Sequence, residues 1–372
     1  MDKLVCIFQR GAADGLNSLV PHGDSDYYLH RNTIAVPPPG ETGGAINLDG
    51  FYGLHPALSP LKPIYDAGDM ALIHAAGIPH GSRSHFSAQG LVERGVADKS
   101  GPGTGWLGRH LSLTPSQSDS AFHTVAISGN IPVSLQGSAE PLAISDLAEF
   151  GFDQGIIDTG YPTALETLFH NSIPFANSAQ AALAAMAELK TANLSAITPA
   201  NGANYPETTL GNRLKQAGQL LRSNLPVEVI CIDSDGWDHH ENLPTYLPRS
   251  LTELAESVAA FYTDMGSEMS GITLIVMTEF GRRVAENASA GADHGTAGLA
   301  YAIGGGVNGG QVFGDWPGLD ASNLEQGEDL KITTDLRTIL AELLTKRLGG
   351  SNIDYVFPGF SGVVSAGVFS AL

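Results

Sequence analysis

The sequence is short of cations, cysteines and long apolar runs, and each shortage excludes a class of protein. Lys and Arg number 19 against 39 Asp and Glu, which gives a formal net charge of -20. Because so acidic a chain repels phosphate backbones, nucleic acid is not an expected partner. The two cysteines, Cys6 and Cys231, both lie in apolar runs, which argues against a disulfide framework. No apolar stretch approaches the roughly 20 residues that a membrane span needs, so none is predicted.

Two motifs that would identify an enzyme class directly are also missing. The chain has neither the His-Glu-x-x-His motif of metalloproteases nor the Gly-x-Ser-x-Gly elbow of serine hydrolases. What remains is a chain of 372 residues, of which 42% are hydrophobic. This is enough to bury a sizeable core, and we expect a single domain over residues 1–372.

Short runs of apolar and β-branched residues alternate with segments of helical periodicity. This pattern predicts the α/β class, with a doubly wound and mostly parallel sheet flanked by helices. Residues 70–77 are expected to form the next parallel strand after residues 4–8, through a βαβ crossover. The alanine-rich residues from about 145 to 225 predict a helical layer or cap within the domain. Near the end of the chain we expect a helix capped by Thr334, then a tail with an edge strand.

Metal-binding and nucleophilic side chains follow four of the predicted strands. Residues 233–240 hold three Asp and two His within eight positions. Because carboxylates crowded in this way repel one another, a divalent cation is the simplest explanation, and an acidic solvated loop is the alternative. The carboxyl ends of parallel strands share one edge of a sheet, so we expect the four groups to meet there. The four groups are Asp14; Ser84 with His85; Asp233 with Asp238 and His240; and Glu279 with Asp293 and His294.

An ordinary structural role is open for two of these residues. Asp14 stands among small residues after a strand, where an Asp is often a helix cap. Ser84 stands where a helix is expected to begin, so it is either an N-cap or a hydroxyl placed at a helix N-terminus that favours anions.

Seven short motifs spread over nearly the whole chain resemble the family called domain of unknown function 1501, which is grouped with the alkaline phosphatase and sulfatase superfamily. The motifs lie at residues 10–17, 53–57, 83–86, 233–240, 279–282, 293–295 and 335–337.

The resemblance implies an alkaline phosphatase-like fold with two divalent ions among Zn, Ca, Mg and Mn. It implies Asp14 as an early metal ligand, Ser84 as the nucleophile and Asp233 with His240 as a middle pair of ligands. His294 matches a late ligand, and either Glu279 or Asp293 completes the second site. Members usually carry a twin-arginine export signal, so a periplasmic or secreted location is expected. The first strand begins too soon after Met1 for a signal to precede it, so a trimmed mature chain or a cytoplasmic location is the alternative.

The leading functional hypothesis is a metal-dependent hydrolase or transferase of phosphate or sulfate esters, with a small anionic ester as substrate. Ser84 would attack, one metal ion would lower its pKa and a second would stabilise the leaving oxygen. Arg282 or Arg83 would supply charge to the equatorial oxygens. One alternative is a binding or assembly protein that has lost turnover. Another is a metal-free serine hydrolase, with His85 or His294 as the base.

Overall fold

The computed structural model describes residues 2–114, 120–138, 141–147, 149, 176–362 and 365–372. Within them, the long strands are apolar on both faces, as expected for a sheet that is covered on both sides. The main sheet has the order β11-β5-β10-β9-β1-β8-β6-β7, with β12 beside β5, and a second sheet has the order β2-β4-β3. The strands are β1 Lys3–Gln9, β2 Leu19–Val20, β3 Ile46–Asn47, β4 Gly53–Leu54, β5 Met70–Gly77, β6 Thr124–Ile127, β7 Leu142–Ala143, β8 Val229–Ser234, β9 Ile272–Thr278, β10 Gly298–Gly304, β11 Gln311–Phe313 and β12 Thr334–Asp335.

Helices cover both faces of this sheet. The helices are α1 Gly15–Ser18, α2 Ser25–His30, α3 Lys62–Asp66, α4 His85–Arg94, α5 Trp106–Leu113, α6 Ala176–Ala192, α7 Thr209–Leu221, α8 Leu243–Met265, α9 Leu336–Arg347 and α10 Ile353–Val356. On one face, α7 and α8 share a core with Ile7 and Ile230, and on the other, α5 and α9 share a core with Leu4 and Cys231. The predicted class, a mostly parallel doubly wound sheet with flanking helices, is confirmed. No helix in the described part of the chain is long and apolar enough to cross a membrane.

The direction of β10 differs from that of the other long strands. It pairs antiparallel with both β9 and β5, while β1 pairs parallel with β8 and β9. Residues 70–77 form a strand of the same sheet as β1, as predicted, but β9 and β10 lie between the two strands. Strand β5 still runs in the same direction as β1, since the two antiparallel pairings of β10 cancel. The carboxyl ends of β1, β5, β8 and β9 thus share one edge with the amino end of β10.

Three further expectations were met only in part or not at all. The late helix begins at Leu336 and is capped by Asp335, whose carboxylate accepts a hydrogen bond from the backbone N–H of Arg337. The predicted cap, Thr334, is therefore wrong by one residue. The described part of the tail holds the short helix α10 and no strand. Helices α6 and α7 fall in the predicted helical layer, while residues 150–175 of that layer lie outside the described residues.

Candidate metal centre

Three imidazole rings meet at this edge of the sheet. His294 Nε2 lies 2.9 Å from His85 Nε2 and 2.8 Å from His240 Nε2. A carboxylate oxygen of Asp238 lies 3.2 Å from His294 Nε2 and 3.1 Å from His240 Nε2, and its other oxygen lies 3.4 Å from His85 Nε2. We call these four side chains the histidine cluster.

The far nitrogen of each ring fixes its tautomer. His294 Nδ1 lies 2.7 Å from the carbonyl oxygen of Arg83, which can only accept, so Nδ1 carries the proton. His85 Nδ1 lies 2.7 Å from Glu279 Oε1, and His240 Nδ1 lies 3.1 Å from Asp293 Oδ1. In the neutral rings, the Nε2 atoms of His85 and His240 therefore both point bare lone pairs at Nε2 of His294.

The charges around the cluster keep its acidic groups ionised. Burial raises the pKa of Asp238, but the hydrogen bond and charge of Arg282 outweigh burial and bring that pKa down to about 2. Burial also opposes ionisation of Glu279, but hydrogen bonds from Gln89 and His85 leave its pKa below the usual value. The pKa of His294 is lowered, first by burial and further by the nearby charge of Arg282. The neutral imidazole, which is the form that binds metals, is thus favoured at His294.

A metal ion fits this arrangement better than protons do. Lone pairs that face each other at 2.8–2.9 Å repel unless a cation lies between them. Tetrahedral zinc with bonds of about 2.0–2.1 Å places its donor atoms about 3.3 Å apart. The contacts of Asp238 with the three rings, at 3.1–3.4 Å, match this spacing, and the nitrogen pairs at 2.8–2.9 Å are somewhat shorter. Each ring also donates its other N–H to a carboxylate or carbonyl, as metal-binding histidines usually do. Single atoms of His85, Asp238 and His294 all lie within 4.8 Å of one another, so these three side chains could hold one ion.

The fold brings the cluster together through the ends of four strands. His85 is the first residue of α4, in the segment that follows β5, and Asp238 and His240 lie in the loop after β8. His294 precedes β10 and is bridged to Arg282, which follows β9. The turn after β1 packs against the Asp238 loop. A Cβ on Gly11, whose φ is +119°, would lie 2.7 Å from the amide nitrogen of Asp238.

The remaining predicted residues divide into those around the cluster and those outside it. Glu279 and Asp293 lie behind His85 and His240 as hydrogen-bond acceptors, with their oxygens on Nδ1. Arg282 is 2% exposed and donates to Asp238 Oδ1 at 2.6 Å. Ser84 is exposed, directly precedes His85, and makes no capping hydrogen bond with its side chain.

Asp14 and Asp233 lie outside the histidine cluster, and each is bound by an arginine. Asp14 is 1% exposed, caps α1, and lies 2.9 and 2.8 Å from Arg31 Nη1 through its two oxygens. Asp233 Oδ1 accepts from Arg10 Nε at 2.9 Å. The structure therefore gives Asp14 the structural role that the sequence left open, and neither carboxylate contacts the histidine cluster.

Several residues of the site were not identified from the sequence. The carbonyl of Arg83 orients His294, and Gln89 donates to Glu279 Oε1 at 3.1 Å. Gln89 follows His85 by four positions, so helical spacing could have indicated that both face Glu279. A backbone carbonyl such as that of Arg83 leaves no sequence signal.

Comparison with solved structures finds distant likenesses. The C-terminal periplasmic domain of EcEptC from Escherichia coli, in complex with Zn, is 10% identical, with a TM-score of 0.43 over 98% of this chain and 88% of that chain. Alkaline phosphatase from the Antarctic bacterium TAB5 is 10% identical, with a TM-score of 0.33 over 82% of this chain and 92% of that chain. No curated protein matches the chain. At these identities no role is transferred residue by residue, and the site is interpreted from its own geometry.

A family model covers most of the chain and includes the whole histidine cluster. The match spans residues 70–351, from β5 to beyond the end of α9. The family expected from the sequence motifs is thereby confirmed: the chain belongs to DUF1501, described as a protein of unknown function.

Proposed function

We propose that the chain is a metal-dependent hydrolase or transferase that acts on small phosphate or sulfate esters, with Ser84 as its nucleophile. The observation that carries the proposal is the convergence of three imidazole lone pairs and one carboxylate beside Ser84, at the start of α4. The strongly acidic chain disfavours extended polyanions, and a small ester anion could be held by local positive charge.

His85, Asp238, His240 and His294 would hold the metal ion, which supplies Lewis-acid stabilisation of charge on the ester oxygens. The hydroxyl of Ser84 forms a bond to phosphorus or sulfur as the bond to the leaving oxygen breaks, and its proton passes to solvent at this exposed position. Water or an alcohol then attacks phosphorus or sulfur in the serine ester, the bond to Ser84 Oγ breaks, and Ser84 regains a proton from solvent, which gives hydrolysis or transfer, respectively. The backbone amides that open α4 favour the negative charge of the transferred group.

The metal-free serine hydrolase is less well supported by the contacts. The base would have to accept the Ser84 proton at Nε2, but the Nε2 atoms of His85 and His294 face each other at 2.9 Å within the cluster. Loss of turnover on addition of a chelator would separate the two mechanisms.

The test combines metal loading with a substrate panel. The purified protein would be loaded in turn with Zn²⁺, Mn²⁺, Mg²⁺ and Ca²⁺ and assayed with aryl phosphate monoesters, phosphate diesters and aryl sulfates. We expect Ser84→Ala to lower kcat at least about 100-fold with unchanged metal content. Ser87→Ala, on the same helix, is the matched control and should keep full activity. A metal-loaded protein that is inert on the whole panel would overturn the proposal in favour of a binding protein. A Ser84→Ala variant as active as the unaltered chain would overturn the assignment of Ser84 as the nucleophile.

A further inference from the structure

Arg282 places a fixed positive charge next to the histidine cluster. Its guanidinium is 2% exposed and donates to the carbonyls of Gly11, Ala12 and Ala292 at 2.6–2.9 Å. The same group donates to Asp238 Oδ1 at 2.6 Å, the oxygen that also faces His240 and His294. Four acceptors from three different segments thus hold one cation in place, and the geometry leaves it no freedom to swing out to solvent.

The carboxylates expected to complete a second metal site are engaged by other arginines. Both oxygens of Asp14 contact Arg31, and this pair is buried at 1% and 0% exposure. Asp233 accepts from Arg10, which also contacts both oxygens of Glu93 at 3.1 Å. Glu279 has no arginine partner among the described residues, but its Oε1 contacts Gly11 N, His85 Nδ1 and Gln89 Nε2, and its Oε2 contacts Thr278 Oγ1. Asp293 Oδ1 accepts from His240 Nδ1 and from Asn287 Nδ2 at 3.1 and 3.2 Å. Of the predicted ligands in the described part of the chain, Asp238, His240 and His294 remain, and with His85 they make one coordination sphere.

A second ion would also meet unfavourable charge. Next to Asp233, where the resemblance implied a further ligand, a second ion would face the guanidinium of Arg10. Like charges at this range repel strongly where water is partly excluded. The residues present therefore do not fit the two-ion site that the family resemblance implied.

We propose that this centre binds one metal ion per chain and that the buried guanidinium of Arg282 takes the place of the second. The inference rests on the proposed metal centre and deepens it. In ester transfer, Arg282 supports the anionic substrate through its charge, while its hydrogen bonds keep Asp238 oriented towards the ion.

Metal stoichiometry is the first test. Protein stripped with a chelator would be titrated with Zn²⁺, and the bound metal would be counted by plasma mass spectrometry after gel filtration. One equivalent per chain supports the inference. Two tightly bound equivalents overturn it and leave the proposed function standing, whereas no bound metal overturns both.

Two aspartate variants show which carboxylate binds the ion. Asp238→Asn should lose the bound equivalent, and Asp233→Asn should keep it with Zn²⁺ affinity within about 3-fold of the unaltered chain. The absorption spectrum of the Co²⁺-loaded protein, which reports the ligand set independently of activity, should change in Asp238→Asn alone. Loss of a metal equivalent in Asp233→Asn would contradict the inference.

Arg282 itself is tested by anion binding. Inorganic phosphate binding to Zn²⁺-loaded protein would be measured by calorimetry for Arg282→Met and Arg282→Lys. We expect Arg282→Met to weaken phosphate binding at least 10-fold, and Arg282→Lys, which keeps the charge, to recover most of that loss. Unchanged phosphate affinity in Arg282→Met would refute the role of Arg282. If circular dichroism shows that neither variant folds, the stoichiometry and aspartate experiments still decide whether one ion or two are bound.

Discussion

At the residue scale, each buried carboxylate near the site has its own cation or set of donors. Asp14 contacts Arg31, Asp233 contacts Arg10 and Asp238 contacts Arg282. Desolvation makes an unpaired buried charge very costly, so such pairs persist even where their net contribution to stability is small. Asp238 differs from the other two because it is about half exposed and also faces the imidazoles.

The buried pair of Asp14 and Arg31 leads to a stability prediction. Asp14→Asn would leave the guanidinium of Arg31 buried without a counter-charge, and we expect the free energy of unfolding to fall by about 3–5 kcal/mol. Metal content per folded chain should not change. Urea denaturation and metal analysis measure both. The matched control is Asp66→Asn, which removes an exposed i,i+4 pair with Lys62 and should cost only about 0.3–0.5 kcal/mol. Loss of metal in Asp14→Asn would restore Asp14 as a ligand.

Glu279 carries a prediction about metal affinity. Its carboxylate accepts from His85 Nδ1 and so holds the ring with Nε2 towards the cluster. In Glu279→Gln, the neutral side-chain amide accepts this hydrogen bond less strongly, and its NH₂ group can face His85 Nδ1–H and repel it. We therefore expect Glu279→Gln to weaken Zn²⁺ binding about 10- to 100-fold. Competition titration against a chromophoric chelator measures the change. Glu241→Gln, at an exposed neighbour of His240, is the control and should bind Zn²⁺ normally.

At the element scale, the turn after β1 and the loop after β8 depend on each other. Gly11 has a φ of +119°, and its backbone lies against that of Trp237 and Asp238. A side chain would meet the amide nitrogen of Asp238 at 2.7 Å, so glycine is required both by conformation and by space. The position of Asp238 is therefore set by a turn that lies more than 200 residues earlier in the chain.

Two glycine substitutions test this dependence, and we expect them to change the free energy of unfolding in opposite directions. Gly11→Ala should lower the free energy of unfolding by about 1–3 kcal/mol and weaken metal binding, because the Asp238 loop must move. Gly90→Ala, inside α4 where a Cβ would meet no atom within 4 Å, should raise stability by about 0.5–1 kcal/mol and leave metal binding unchanged. Thermal unfolding and Zn²⁺ titration provide the measurements. A Gly11→Ala variant with normal metal affinity would argue against the dependence.

At the scale of the whole molecule, buried imidazoles make stability depend on pH. Burial lowers the pKa of His110 to about 4 from its ordinary 6.5, and the ring is 3% exposed in α5. The folded protein protonates this ring only below about pH 4, whereas the unfolded chain does so near 6.5. Acidification from pH 6.5 to 4 therefore favours the unfolded chain.

The corresponding prediction concerns the slope of stability against pH. Replacing His110 with Gln removes the titrating group, so the loss of stability between pH 6.5 and 4 should shrink by about 1–3 kcal/mol. Urea denaturation at a series of pH values gives the slope. Leu113→Gln, on the same helix, adds no titrating group and should shift the whole curve without changing its slope. An unchanged slope in His110→Gln would exclude His110 as a source of acid sensitivity.

Much of the fold and part of the site were predictable because strand signals are local. Apolar β-branched runs located β1, β5, β8 and β9, and the acidic and imidazole residues after them supplied four members of the cluster. Which of the candidate carboxylates would join the histidine cluster was not predictable from the sequence. Asp233 and Asp238 are five residues apart, yet Arg10 binds one and the imidazoles face the other. A periplasmic or secreted location, suggested by family resemblance, stays a prediction.

The sequence by itself determined the α/β class, the family and the inventory of side chains at the sheet edge, since periodicity and short motifs depend only on neighbours along the chain. Tertiary structure alone decided that β10 runs antiparallel and so delivers His294 to the same edge as β5 and β9. It also decided which carboxylates were neutralised, because Arg10, Arg31 and Arg282 reach acids that lie between 17 and 223 residues away in sequence. Ion pairing depends on the distance between charges in space and on the cost of burying them, and neither can be deduced from the residues that are neighbours in sequence.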